Sequence, residues 1–271
     1  VCICNVSVII RSADEEHIDP NTYSIDLTSS WTNETVVLNK ILKDGPPVVN
    51  QGIVWLDVSE KSFYAYDGYT SESTGVIAQP GPNALWQFLP NGAGGGIWTS
   101  VAAPSNTNFS QLSRCFAPAY ASGEGLGFAL GGVQDGQTIA GYTEAYPTGL
   151  VIYNTSSETW LNISALGYSS DGTSARAAAH FVPSFGPNGL LFVLGGQVGY
   201  SATYVSTSSV NFFDPVSQQW KIQAVSGNPP PPSETSCVVG APGDNGTYEV
   251  GNHFPAISVA YGRITDLPLR R

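Results

Sequence analysis

Phe63-Tyr64-Ala65-Tyr66-Asp67-Gly68, Phe128-Ala129-Leu130-Gly131-Gly132 and Phe192-Val193-Leu194-Gly195-Gly196 are three versions of one phrase, an apolar run closed by glycine. Their last glycines fall at 68, 132 and 196, a spacing of 64 each time, and a Trp follows each at 98, 160 and 220. Trp31 extends the series backwards. Self-similarity at a fixed period marks a repeat architecture, in which each unit buries its apolar face against the next.

The unit that starts near Arg176 is the clearest. Ala177 to Pro183 reads as a first strand, Ser184 to Gly189 as a turn, and Leu190 to Leu194 as a second strand with no polar residue. Such a run suits a strand covered on both faces. After Gly195-Gly196 a polar loop leads to Ser209-Val210-Asn211-Phe212-Phe213-Asp214, then the turn Pro215-Val216-Ser217, then a last strand carrying Trp220. The preceding unit repeats this with Arg114, Gly131-Gly132, Leu150 to Asn154 and Trp160, and the one before it with Leu85 to Phe88 and Trp98. Tyr23 to Leu27 followed by Trp31 reads as the last hairpin of a further unit. No window sustains a helical period. A Gly pair permits positive φ and close backbone approach where a strand must end, and Trp fills the space between sheets. Four short antiparallel strands per unit, repeated radially, predict an all-β propeller.

These residues resemble the kelch repeat: Gly-Gly after an apolar strand, an aromatic before Asp or Asn in the third strand, and Trp in the fourth. The resemblance covers residues 21–250. Asn21 to Leu27, Phe181 to Leu191 and Gly243 to Glu249 are more narrowly similar to fungal secreted or cell-surface kelch-repeat proteins. That resemblance implies a propeller like the central domain of galactose oxidase, used as a binding scaffold. It also implies six or seven blades, whereas the chain's units number about four to five. Residues 1–20 lack the expected Gly pair and 251–271 show no blade-like pattern, so the expectation is an incomplete propeller. Both ends are expected to be irregular, the C-terminal one as an aberrant tail. The rival is an unusually small closed propeller.

The formal charge of −11 argues against binding to a phosphate backbone, which needs a basic footprint. Arg263, Arg270 and Arg271 are the only basic cluster and read as a solvated end. No apolar run reaches the roughly 18 residues that cross a membrane as a helix. Six Asn-X-Ser/Thr sequons, at Asn5, Asn33, Asn108, Asn154, Asn162 and Asn245, exceed the roughly three that chance gives for this content of Asn, Ser and Thr. An extracellular or cell-surface glycoprotein is the expectation. Of the four cysteines, Cys2 and Cys4 are too close to pair comfortably. Cys115 and Cys237 lie near the starts of two blades, and both a disulfide and free buried thiols fit the sequence.

Galactose oxidase builds a copper site from His, Tyr and a Cys-linked Tyr. Only His17, His180 and His253 are present, without close spacing, so no metal and no cofactor are expected. Arg114 and Arg176 are read at one repeat position, with His180 on the inner strand. Functionally they grip an anionic group of a ligand; structurally they tie neighbouring blades through carbonyls or a carboxylate. Asp135, Glu144 and Asp171 lie in polar loops, and spacing pairs no two of them as acid and base. Tyr142, Tyr146, Tyr168, Tyr200 and Tyr204 fall in Gly-, Ser- and Thr-rich loops, where they either cover blade edges or offer amphipathic contact area for proteins or sugars. The leading expectation is a non-catalytic scaffold for a protein or glycan. The alternatives are a carbohydrate-active galactose-oxidase-like relative without a copper site, and a truncated product without independent function.

Overall fold

A computed structural model describes residues 21–264 apart from 27, 29, 71, 74–75, 78–82, 103–111, 113, 200, 202, 235–236 and 255–256. A hairpin of β1 (Asn21–Ile25) and β2 (Leu38–Leu42) comes first. The first complete blade follows, with β3 (Ile53–Asp57) and β4 (Ser62–Tyr66), two short strands β5 (Glu72–Ser73) and β6 (Val76–Ile77), then β7 (Leu85–Pro90) and β8 (Gly96–Val101). The second blade is β9 (Ala119–Gly123), β10 (Leu126–Leu130), β11 (Leu150–Asn154) and β12 (Thr159–Ile163). The third is β13 (Ala178–Val182), β14 (Leu190–Leu194), the short pair β15 (Gln197–Val198) and β16 (Thr203–Tyr204), then β17 (Ser209–Asp214) and β18 (Gln219–Ala224). A three-stranded sheet of β19 (Cys237–Pro242), β20 (Tyr248–Phe254) and β21 (Ile257–Ile264) completes the order.

Each complete blade is an antiparallel meander, β3-β4-β7-β8, β9-β10-β11-β12 and β13-β14-β17-β18. First strands stand side by side, β3 beside β9, β9 beside β13 and β13 beside β19, as the inner strands of a propeller must. Second strands take the central, doubly covered place, and β14, Leu-Leu-Phe-Val-Leu, is buried throughout. This is the four-stranded antiparallel propeller blade that the repeated phrase predicts.

Blades are joined by side chains that cross from one sheet to the next. Trp55 on β3 is fully buried, stacks 5.7 Å from Tyr66 and 6.0 Å from Tyr153 of the next blade, and occupies the space where Gly127 lacks a side chain. A Cβ at Gly127 would stand 2.4 Å from that indole, so β10 can carry no side chain there. Phe128 stacks on Phe181 at 5.7 Å, in a separate core cluster that joins the second blade to the third.

The fourth-strand tryptophans share one register, Trp98 opposite Phe88, Trp160 opposite Tyr153 and Trp220 opposite Phe213. Trp160 is buried and the other two are half-buried. Each reaches the preceding unit: Trp98 Nε1 donates to Thr22 Oγ1 at 3.0 Å, Trp220 Nε1 to the Ser164 carbonyl at 3.0 Å, and Trp160 packs 5.1 Å from Tyr66. Trp31 stands outside this series. It lies in the loop between β1 and β2, 47% exposed, and the position opposite Tyr23 is Lys40.

Residues 251–264 differ from the irregular tail expected of them. β20 runs on to Phe254 and β21 pairs with it, Gly251 opposite Tyr261 and Glu249 opposite Arg263. The reason is in the sequence: Ile257, Val259 and Tyr261 alternate with small residues, which is a strand pattern without a Gly pair. Residues 1–20 and 265–271, with His17, Cys2, Cys4, Asn5, Arg270 and Arg271, lie outside the described residues.

Candidate functional site

In an antiparallel meander, connections alternate between the two ends of the sheet. Turns from first to second strand and from third to fourth therefore share one face of the array. The long second-to-third connections, 67–84, 131–149 and 195–208, share the other with the linkers between blades. On that loop face Tyr142 is 54% exposed and Tyr204, on β16, is 42% exposed. Tyr146 is half-buried and donates its hydroxyl proton to Glu144 Oε1 at 3.2 Å. Tyr168 differs from these. It is buried, packs 5.6 Å from Trp220 with the rings tilted and donates to the Gly195 carbonyl, so it serves as a joint between the second and third blades. Tyr200 lies outside the described residues.

The Gly pairs explain how the loop face is held. Gly131 and Gly132 have φ of 62° and 111°, and Gly195 and Gly196 have 66° and 89°, the left-handed region. The second Gly donates its N–H to the next blade: Gly132 to the Ser174 carbonyl at 2.6 Å and Gly196 to that of Ser233 at 2.9 Å. A Cβ on Gly131 would meet the Ser174 carbonyl at 2.1 Å. In the first blade Asp67 occupies the corresponding place, at φ 67°, and Gly68 still donates to the Cys115 carbonyl at 2.9 Å.

Asp67 is buried. Its Oδ1 accepts the Cys115 N–H at 2.6 Å, and the Cys115 thiol lies 3.0 Å from Oδ2 and 3.2 Å from the Gly131 carbonyl. Burial pushes the Asp67 carboxyl up to about 7, against the opposing pull of the Cys115 hydrogen bonds and the Arg114 guanidinium. Burial likewise pushes the Cys115 thiol up, with the Asp67 charge adding to it.

Arg114 and Arg176 do not occupy one repeat position. Gln51, Ala117 and Arg176 do: each has positive φ, 49°, 52° and 56°, two residues ahead of β3, β9 and β13. Ala117 N–H donates to the Gln51 carbonyl at 3.2 Å and Arg176 N–H to the Ala117 carbonyl at 2.9 Å, a backbone chain that passes from blade to blade. Both side chains are nonetheless held at blade boundaries. Arg114, buried, donates from Nε to the Gly68 carbonyl at 3.2 Å, and Arg176 Nη1 meets Glu234 Oε2 at 3.2 Å.

His180 lies on β13, its Nε2 sharing a 2.9 Å hydrogen bond with the Tyr248 hydroxyl of β20, and burial lowers its pKa. Together with Val54, Leu56, Tyr120 and Ser122 it lines a cavity of about 570 Å³ between the inner strands. Leu56 and Tyr120 are exposed there. Spacing alone did not single them out, because which inner-strand residues face the centre depends on the register of neighbouring blades. Cys115 and Cys237 are unpaired thiols, the first buried and the second exposed, so the disulfide reading does not hold between them. Among the described residues no three His, Cys, Asp or Glu side chains are grouped to hold a metal ion.

Of the sequons, Asn33 and Asn162 are exposed. Asn154 Oδ1 accepts the N–H of Ser156 and of Ser157, both at 3.0 Å, at the turn into β12. Asn245 lies in the 3-10 turn Asp244–Gly246, and Asn108 is outside the described residues.

A kelch repeat-containing protein of Arthroderma benhamiae (strain ATCC MYA-4681 / CBS 112371) is 26% identical over 264 residues, covering 84% of this chain. The chain is similar in sequence to that protein. It spans only 38% of the length of this curated relative. The solved structure of YjhT superimposes with a TM-score of 0.46 at 14% identity, covering 82% of this chain and 67% of that one. No protein-family model matches the chain.

Proposed function

We propose that this kelch propeller is a non-catalytic binding scaffold, secreted or displayed at the cell surface, that takes a protein or glycan on its loop face. The observation that carries this reading is the pair Tyr142 and Tyr204, both more than two-fifths exposed on second-to-third-strand connections of adjacent blades. Rigid sheets hold those connections on one face, and loops on a rigid scaffold are where binding residues accumulate. Tyrosine gives large contact area at low entropic cost, with a hydroxyl for hydrogen bonding. The sequons and the acidic surface support an extracellular setting.

The test is a binding screen of the purified chain against a glycan array and a set of extracellular proteins, repeated with Tyr142→Ala/Tyr204→Ala. Loss of about tenfold or more in affinity, the scale of aromatic anchors, is expected at unchanged thermal stability. Undiminished binding by the double variant would place the site elsewhere. Secretion from a eukaryotic host is expected to give a product whose mobility shifts when N-linked glycans are removed enzymatically.

A further inference from the structure

Asp67 stands where the other two complete blades have the first Gly of a Gly pair, and so puts a buried carboxyl at that position of the joint between blades. We propose that Asp67 and Cys115 form a proton-operated latch between the first and second complete blades, tightest when Asp67 carries its proton.

The geometry supplies a full set of hydrogen bonds for both states. With Asp67 ionised, Oδ1 accepts the Cys115 N–H and the thiol donates to Oδ2, 3.0 Å away. With Asp67 protonated, the Oδ2 proton points to sulfur and the thiol proton turns to the Gly131 carbonyl, 3.2 Å away. One proton enters from solvent, no covalent bond to a heavy atom changes, and the thiol exchanges an acceptor in the neighbouring blade for one in its own.

The ionised state is the strained one. It leaves a buried carboxylate, and burial is the largest influence on its titration. The groups that face it are the Arg114 guanidinium, the Cys115 thiol and the Tyr66 phenol. Lys43, from the segment after β2, lines the same small cavity as Asp67, Tyr66 and Arg114, and that cavity gives the proton its way in. At the Gly131 and Gly195 positions an added Cβ would run into the Ser174 and Ser233 carbonyls, so no carboxyl can stand there as Asp67 does.

Because the fold keeps a proton that an unfolded Asp has lost, the contribution of Asp67 to stability is greatest at low pH and declines as pH rises from about 4 to about 7, then levels off. The test has two arms. In the unmodified chain, the ¹³Cγ resonance of Asp67 is followed by NMR, and a midpoint near 7 is expected. Thermal melts of the same chain and of Asp67→Asn, which mimics the protonated carboxyl, are then compared between about pH 5 and 8. The native chain is expected to lose Tm relative to the variant as pH rises, with histidine contributions common to both. A resonance that titrates near the ordinary Asp value of about 4 overturns the latch even if Asp67→Asn fails to fold. Parallel Tm profiles for the two proteins overturn it equally.

Discussion

Trp55 donates its indole N–H to the carbonyl of Phe128, 3.0 Å away and across the boundary between the first and second complete blades. The bond unites a fully buried side chain of an inner strand with the backbone of a central strand, and Gly127 beside it leaves the space for the indole. A second bond joins the same two sheets at their inner strands, the Leu56 N–H donating to Ser122 Oγ at 2.8 Å.

Trp55→Ala is therefore expected to cost about 3–5 kcal/mol, the scale for removing a large buried aromatic. Trp55→Phe keeps much of the packing but leaves the Phe128 carbonyl without its donor, for a loss of about 1–3 kcal/mol. Urea unfolding of both variants checks the order; a Trp55→Phe protein as stable as the parent would show that the hydrogen bond contributes nothing.

The fourth-strand tryptophans should separate by burial even though their register is the same. Trp160→Ala is expected to lose about 3–5 kcal/mol, and Trp98→Ala and Trp220→Ala less, because their rings are only half covered. Trp31→Ala, at an exposed loop position, should fall within about 0.5 kcal/mol of the parent. Equilibrium unfolding of the four variants side by side tests the ranking.

His180 gives a pH dependence of the opposite sign to Asp67. Its folded pKa is lowered by burial, so the fold favours the neutral ring, and stability present above the unfolded value of about 6.5 is lost as pH falls through the folded value. His180→Gln, which preserves a polar partner for Tyr248, should flatten the acid limb of the Tm profile. An unchanged acid limb would assign it to other groups.

The two described cysteines should differ sharply in reactivity. Cys237 is exposed and is expected to alkylate rapidly in the native state. Cys115 is buried, hydrogen-bonded to Asp67 and held as the thiol, so it should alkylate only on unfolding. Mass spectrometry of peptides after timed iodoacetamide treatment reads both at once.

Much of the blade was legible because its punctuation is local. The second strands begin at 62, 126 and 190, in step with the 64-residue period of the glycines, and Leu190–Leu194 has the bounds that its unbroken apolar run predicts. Left-handed backbone at the end of each of these strands demands Gly, or rarely Asp, so the sequence carries a mark wherever that geometry occurs. The first strands, by contrast, begin at 53, 119 and 178, because the loops and linkers around them vary in length. Carrying the period across a linker is what made Arg114 and Arg176 look equivalent, when backbone conformation pairs Arg176 with Ala117.

The site was legible only in part, for a related reason. Tyr142, Tyr168 and Tyr204 look alike in sequence, each an aromatic among small polar residues, yet Tyr168 is buried under Trp220 and the other two are exposed. The sequence by itself determined the repeat, the strand identities and the all-β propeller blades, since alternation, Gly punctuation and Trp spacing act within one unit. Tertiary structure alone decided which tyrosines face solvent, which inner-strand residues line the cavity, and that the one Asp among the glycines is locked to a cysteine of the next blade. Those outcomes depend on how one blade lies against another, and contacts between residues some 50 positions apart, such as Asp67 and Cys115, leave no periodic trace in the chain.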